Sequence, residues 1–193
     1  NVNRTVDESL AGFEDVAKIA SEKGIPVHGV IATALGCPFE GDVPVEKLSY
    51  IAKHYRDLGF TGLGLGDTTG MATPPVVQKA VRHLQDTVPE LPLGLHFHNT
   101  RGIGLVNVMT GLDEGVENYD SSFGGMGGCP FAPKATGNIC TEDLLYMLHE
   151  MGIETGIDLS KMIKIAKDVE TVMGRELPGQ LMKAGPRLNL HSM

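Results

Sequence analysis

The segment Leu93-Gly94-Leu95-His96-Phe97-His98-Asn99-Thr100 sets two imidazoles two residues apart at the end of an apolar run. On a β-strand alternate side chains share a face, so His96 and His98 project together and can hold one divalent metal ion. A hydrogen-bonded interior histidine beside a solvated one gives the same spacing, so further ligands have to decide. Hard cations such as Mg²⁺ or Mn²⁺ accept imidazole beside oxygen ligands when positions stay open for substrate oxygens. Asp67, in Leu65-Gly66-Asp67-Thr68, offers a carboxylate beside a glycine that lets a ligand approach, though the same residue suits a turn or a helix cap. Asn138, after Ala135-Thr136-Gly137, offers an amide oxygen or is a plain turn residue. Cys129 lies in Gly124-Gly125-Met126-Gly127-Gly128-Cys129-Pro130, a run too flexible to hold a core thiol. Most free cysteines are simply buried, but a thiol beside a metal can be acidified and exchange protons.

These residues need elements to position them, and the chain repeats one pattern. Thr5 with Glu8 forms a capping box before the stripe Leu10, Phe13, Ala17 and Ala20, predicting a helix over about 6–23 that ends at Gly24. Pro26 to Thr33 reads as a buried strand, followed by the turn-rich segment Gly36 to Asp42. Pro44 opens a helix carrying Leu48, Ile51, Ala52 and Tyr55 that stops at Gly59. Phe60 to Leu65 is a strand, Pro74 to Val88 a helix, Leu93 to His96 a strand, and Leu105 to Leu112 a helix ending near Gly115. Asn118 to Ser122 is the fourth strand; a glycine-rich loop runs from Gly124 to Asn138, and Thr141 caps a helix holding Leu144, Leu145 and Leu148. Residues 157–173 predict a terminal helix, and 174–193 an irregular tail.

Strands alternating with helices mean βα units and a parallel sheet. Each strand ends in a polar, glycine-rich loop, which favours a (β/α)₈ barrel, whose active-site groups gather on that rim. Such a barrel takes about 250 residues and eight strands; this sequence has 193 residues and four strand signals. A net charge of −8 argues against nucleic acid or an anionic membrane as partner. No apolar run approaches the roughly 20 residues that span a bilayer. The three cysteines, an odd number, argue against a disulfide framework and for a reducing cytoplasm.

Taken together, Gly66-Asp67-Thr68, His96-Phe97-His98, the Gly124–Pro130 loop and Ala135-Thr136-Gly137-Asn138 resemble the 3-hydroxy-3-methylglutaryl-CoA lyase family. Ala34-Leu35-Gly36-Cys37-Pro38-Phe39-Glu40-Gly41 and Thr141-Glu142-Asp143-Leu144 fit as well, so the resemblance runs from about Asn3 to Leu159. It implies a metal-dependent (β/α)₈ lyase that cleaves 3-hydroxy-3-methylglutaryl-CoA, or a close analogue, to acetyl-CoA and acetoacetate. It further implies that His96, His98 and Asn138 hold Mg²⁺ or Mn²⁺, that Asp67 is a catalytic acid/base, and that Cys129 is a thiol on a closing loop. Thr68, Arg101 and Lys134 become substrate-binding candidates, Arg101 for a substrate carboxylate or an acidic loop residue, Lys134 for CoA phosphates or plain solvation.

Two departures shape the remaining expectations. The family's first strand carries an Arg-Asp pair, the aspartate a metal ligand, that this sequence does not supply. The chain is therefore expected to be a single domain forming the C-terminal half of the barrel, about strands five to eight. Its N-terminal half would come from the same polypeptide, and the protein would be a homodimer or higher oligomer. Phe97, Asn99 and Arg101 depart from the Cys-x-Asp-Thr-Tyr character of well-known members, which keeps citramalyl-CoA, or a synthase reaction on a 2-oxo acid, open as alternatives. An inactive half-barrel serving as an assembly module is the alternative outside enzymes.

Overall fold

The computed structural model describes residues 3–128 and 136–190. Helix α1 (Val6–Glu22) leads into strand β1 (His28–Ile31), then α2 (Val45–Asp57), β2 (Gly62–Asp67), α3 (Pro74–Thr87), β3 (Leu93–Phe97), α4 (Gly104–Asp113) and β4 (Asn118–Asp120). Helices α5 (Thr141–Glu150), α6 (Leu159–Met173) and α7 (Leu181–Ala184) follow. The expected capping box holds α1: the Glu8 N–H donates to Thr5 Oγ1 at 3.2 Å, and the Thr5 N–H donates to the Glu8 carboxylate at 2.8 Å.

The strands form one parallel sheet in the order β1-β2-β3-β4. Register divides their side chains between two faces. Leu65 pairs with Leu95 and Leu95 with Tyr119, and with Ile31, Leu63, Leu93 and Phe97 they face the helices and build the core. Phe13 of α1 meets Tyr55 of α2 and Phe60 edge-on, and the last two stack with ring centroids 4.8 Å apart. Gly29 is needed there, because a Cβ would land inside the Tyr55 ring. The other face carries His28, Val30, Gly64, Gly66, Gly94, His96, Asn118 and Asp120, small or polar residues that no described helix covers.

Two expectations need correcting. Thr141 does not cap α5 but is its first residue; Cys140 holds the cap position, and the Thr141 hydroxyl pairs with Ser121 Oγ at 2.9 Å. The tail beyond residue 174 is not irregular throughout. Leu177 and Met182 are buried against Ala166 of α6, and the Asp143 carboxylate accepts the Gln180 and Leu181 N–H groups at the start of α7. The sequence hid this because a four-residue helix has no periodicity to read.

Candidate active site

The end of β3 and the strand-like segment 138–140 are stitched together. The Ile139 N–H donates to Phe97 O at 3.1 Å, the Ser122 N–H to Ile139 O at 3.2 Å, and His98 bridges Asn138. This stitching brings His96, His98 and Asn138 to one rim. The two imidazole centroids lie 5.3 Å apart, as the shared strand face requires. His98 is buried, and its Nδ1 lies 2.9 Å from Thr136 O. A carbonyl can only accept, so Nδ1 carries the proton and the Nε2 lone pair is left for a ligand. Burial, and then the charge of His96, hold the His98 pKa below the usual imidazole range against the pull of Thr136, which keeps the ring neutral.

Asn138 is oriented in the same way. Its Nδ2 donates to Met126 O at 2.8 Å, while Oδ1 is inaccessible to solvent and lacks a hydrogen-bond partner among the described residues. An unsatisfied buried carbonyl oxygen is costly, and a bound cation is one partner that would remove the cost. Two imidazole nitrogens and an amide oxygen, with further positions open, suit Mg²⁺ or Mn²⁺.

Asp67 closes β2 with no solvent exposure. Its Oδ1 accepts the Met71 and Ala72 N–H groups at 2.7 and 2.9 Å, as a turn aspartate does, whereas Oδ2 is buried without a partner among the described residues. Burial pushes its pKa up to about 6, against the pull of those amides and the Arg101 guanidinium. Thr68 and Arg101, the substrate-binding candidates, each carry a structural bond. Thr68 Oγ1 accepts the N–H of Thr33, a residue at φ 53°, and so ties the β1 loop to the β2 loop. Arg101 is exposed, and its Nη1 donates to Thr69 O and Gly70 O at 3.1 and 2.7 Å. Cys129 and Lys134 lie outside the described residues.

Two functional candidates escaped sequence reasoning. Asp120 pairs with His96 across β3 and β4, and its Oδ2 lies 3.6 Å from His96 Nδ1; the pairing depends on the register between the two strands, which left no local signal. Glu142 is fully buried, with Oε2 accepting the Gly124 N–H at 3.0 Å and fixing the turn that opens the glycine loop. Cys140, Glu142 and Asp143 have ligand atoms within 4.8 Å of one another, but this is a poor metal site. Both Asp143 oxygens accept N–H groups at the start of α7, and burial beside two carboxylates pushes the Cys140 thiol far towards its protonated form.

Burial likewise pushes the Glu142 pKa up. The folded state then holds this proton more tightly than the unfolded chain, so ionisation costs stability as pH rises, with the full cost present above the raised pKa. Glu142→Gln cannot ionise. Its melting temperature relative to the parent is expected to climb from about pH 4, the usual carboxyl range, towards neutrality. Parallel melting profiles from calorimetry would show that Glu142 does not titrate with unfolding.

Comparison with known proteins places this arrangement. The HMGL-like family profile matches residues 1–169. The chain belongs to the HMGL-like family. Among curated relatives, this HMGL-like chain is 41% identical over 186 residues to an (R)-citramalyl-CoA lyase of Chloroflexus aurantiacus, covering 96% of the chain and 59% of that protein. It is also 41% identical over 184 residues to a cytoplasmic 3-hydroxy-3-methylglutaryl-CoA lyase of Danio rerio, covering 95% of the chain and 55% of the relative. A solved HMG-CoA lyase from Acenitobacter baumannii, in complex with coenzyme A and 3-methylmalate, superposes with a TM-score of 0.94 at 44% identity, covering all of this HMGL-like chain and 63% of that one. The chain thus spans about 60% of the length of these relatives.

Proposed function

We propose that this chain is the C-terminal half, about strands five to eight, of a (β/α)₈ lyase that cleaves 3-hydroxy-3-methylglutaryl-CoA to acetyl-CoA and acetoacetate. The unpartnered Asn138 Oδ1, beside a His98 whose Nε2 lone pair is freed by Thr136, carries the reading. Citramalyl-CoA is the second substrate to test, because the Chloroflexus aurantiacus citramalyl-CoA lyase is as similar as the Danio rerio 3-hydroxy-3-methylglutaryl-CoA lyase. The missing half would supply strands for the outer edges of β1 and β4. A cleft of about 560 Å³ on the β1 side, lined by Phe13, Val30, Phe39 and Thr68 among others, suits such a neighbour.

His96, His98 and Asn138 would hold Mg²⁺ or Mn²⁺. That ion, when bound, polarises the oxygens of a substrate hydroxyl and carboxylate. The chain's own groups move the protons. Asp67, its Oδ1 pinned by two backbone amides, has Oδ2 for exchange with the tertiary hydroxyl. As that proton leaves, the adjacent C–C bond breaks, its electron pair passes into the thioester enolate, and the enolate carbon takes up a proton. Asp67 and Cys129 divide these two transfers. Arg101 braces the loop after Asp67 through Nη1 and stays the proposed contact for a substrate carboxylate, and Lys134 remains the proposed contact for CoA phosphates. We place the protein in the cytoplasm as a homodimer or higher oligomer; no described helix is long and apolar enough to cross a membrane.

The test is to incubate the full polypeptide, stripped with EDTA and resupplied with Mg²⁺ or Mn²⁺, with each acyl-CoA. Metal-dependent acetoacetate from 3-hydroxy-3-methylglutaryl-CoA is expected. Cleavage of citramalyl-CoA alone would move the substrate assignment, and cleavage of neither would overturn the proposal.

A further inference from the structure

The amide of Asn138 leaves its buried oxygen without a partner among the described residues only because something holds its nitrogen. That something is the carbonyl of Met126, which receives three donors: Asn138 Nδ2 at 2.8 Å, the Asn138 N–H at 3.3 Å, and the Ser122 hydroxyl. A flipped carboxamide would set Oδ1 against Met126 O, two acceptors with no proton between them. The orientation of the Met126 carbonyl therefore fixes which end of Asn138 faces the rim. Met126 itself follows Gly124 at φ 58° and Gly125 at φ 70°, residues with little intrinsic backbone stiffness. Glu142 holds the Gly124 N–H and the Met126 N–H donates to Phe123 O at 3.1 Å, but the Met126 carbonyl still takes its direction from its own donors.

Ser122 has that stiffness. Its backbone is extended, at φ −134° and ψ 150°, and is bonded on both sides: its N–H donates to Ile139 O, and its carbonyl accepts the Thr141 N–H at 2.9 Å. The hydroxyl thus transmits the rigidity of the β4–138–140 ladder to a carbonyl in a loop. Ser122 is half-buried and lies on neither the histidine pair nor Asp67, so nothing in the proposed chemistry uses it.

We infer that Ser122 is a positioning residue for the metal site: its hydroxyl anchors the Met126 carbonyl, which in turn holds the Asn138 amide oxygen towards the cation. The inference rests on the proposed ligand role of Asn138. Hydrogen-bond partners of metal ligands matter energetically, and losing one weakens metal affinity by about 10- to 100-fold.

Titration of Mn²⁺ into the full polypeptide, followed by the electron paramagnetic resonance signal of free Mn²⁺, reads the site without turnover. Ser122→Ala, and Ser122→Cys, which fills the same space with a weak donor, are expected to bind Mn²⁺ about tenfold more weakly. Ser122→Thr, which keeps the hydroxyl and suits an extended backbone, is expected within about twofold of the parent. Melting in EDTA reports the fold of each variant, and Ser122→Cys decides if Ser122→Ala does not fold. A folded Ser122→Cys variant with parental affinity, or a Ser122→Thr variant as weak as Ser122→Cys, would overturn the inference. Failure of the parent to bind Mn²⁺ would instead overturn the metal site on which it depends.

Discussion

Replacing His98 by alanine is expected to abolish metal-dependent turnover, with Mn²⁺ affinity falling by more than the roughly 100-fold that loss of a supporting partner alone can cause. The substitution removes the Nε2 that Thr136 frees for coordination, and it leaves Thr136 O without its donor. The second effect is a matter of stability, about 0.5–1.5 kcal/mol for a hydrogen bond lost at an exposed residue, and melting in EDTA measures it separately. A protein that loses that much stability but keeps its metal affinity and turnover would show that His98 is a satisfied interior histidine. The spacing of His96 and His98 alone permitted that reading.

Asp67 poses the same choice between a structural and a chemical residue, and Asp67→Asn resolves it. The asparagine Oδ1 can accept the Met71 and Ala72 N–H groups as the carboxylate does, so the turn should survive with little change in melting temperature. What it cannot do is exchange a proton, and removing general acid–base catalysis costs about 10²- to 10⁴-fold in rate. The expected result is therefore a folded protein whose kcat falls by that range at saturating metal. Full activity in Asp67→Asn would reduce Asp67 to a turn aspartate. Asp67→Ala is the poorer experiment, because it strips two buried amides of their acceptor and confounds fold with function.

The sheet was legible because its apolar runs are periodic and each ends in glycine or polar residues. The four strands fall inside the predicted segments or within two residues of them; Phe60 to Leu65 became Gly62–Asp67, a shift towards the loop that carries the aspartate. The face shared by His96 and His98 followed from alternation alone. What stayed hidden was set by contacts distant in sequence. Asp120 reaches His96 only through the register of β3 with β4. Glu142 grips Gly124 from eighteen residues away. Arg101 ties its Nη1 to two carbonyls of the neighbouring loop, and nothing local announces that partnership. The burial of Leu177 and Met182 depends on α6 lying against them, so the tail lacked any signal of its own.

All of these roles turn on whether the histidine pair and Asn138 hold a cation. Electron spin-echo spectroscopy of Mn²⁺ bound to the full polypeptide reads its ligands directly through nitrogen couplings. Imidazole nitrogen couplings are expected in the parent and should vanish when His96 and His98 are both replaced by alanine. Bound Mn²⁺ with no nitrogen coupling, or couplings unchanged in the double variant, would contradict the account.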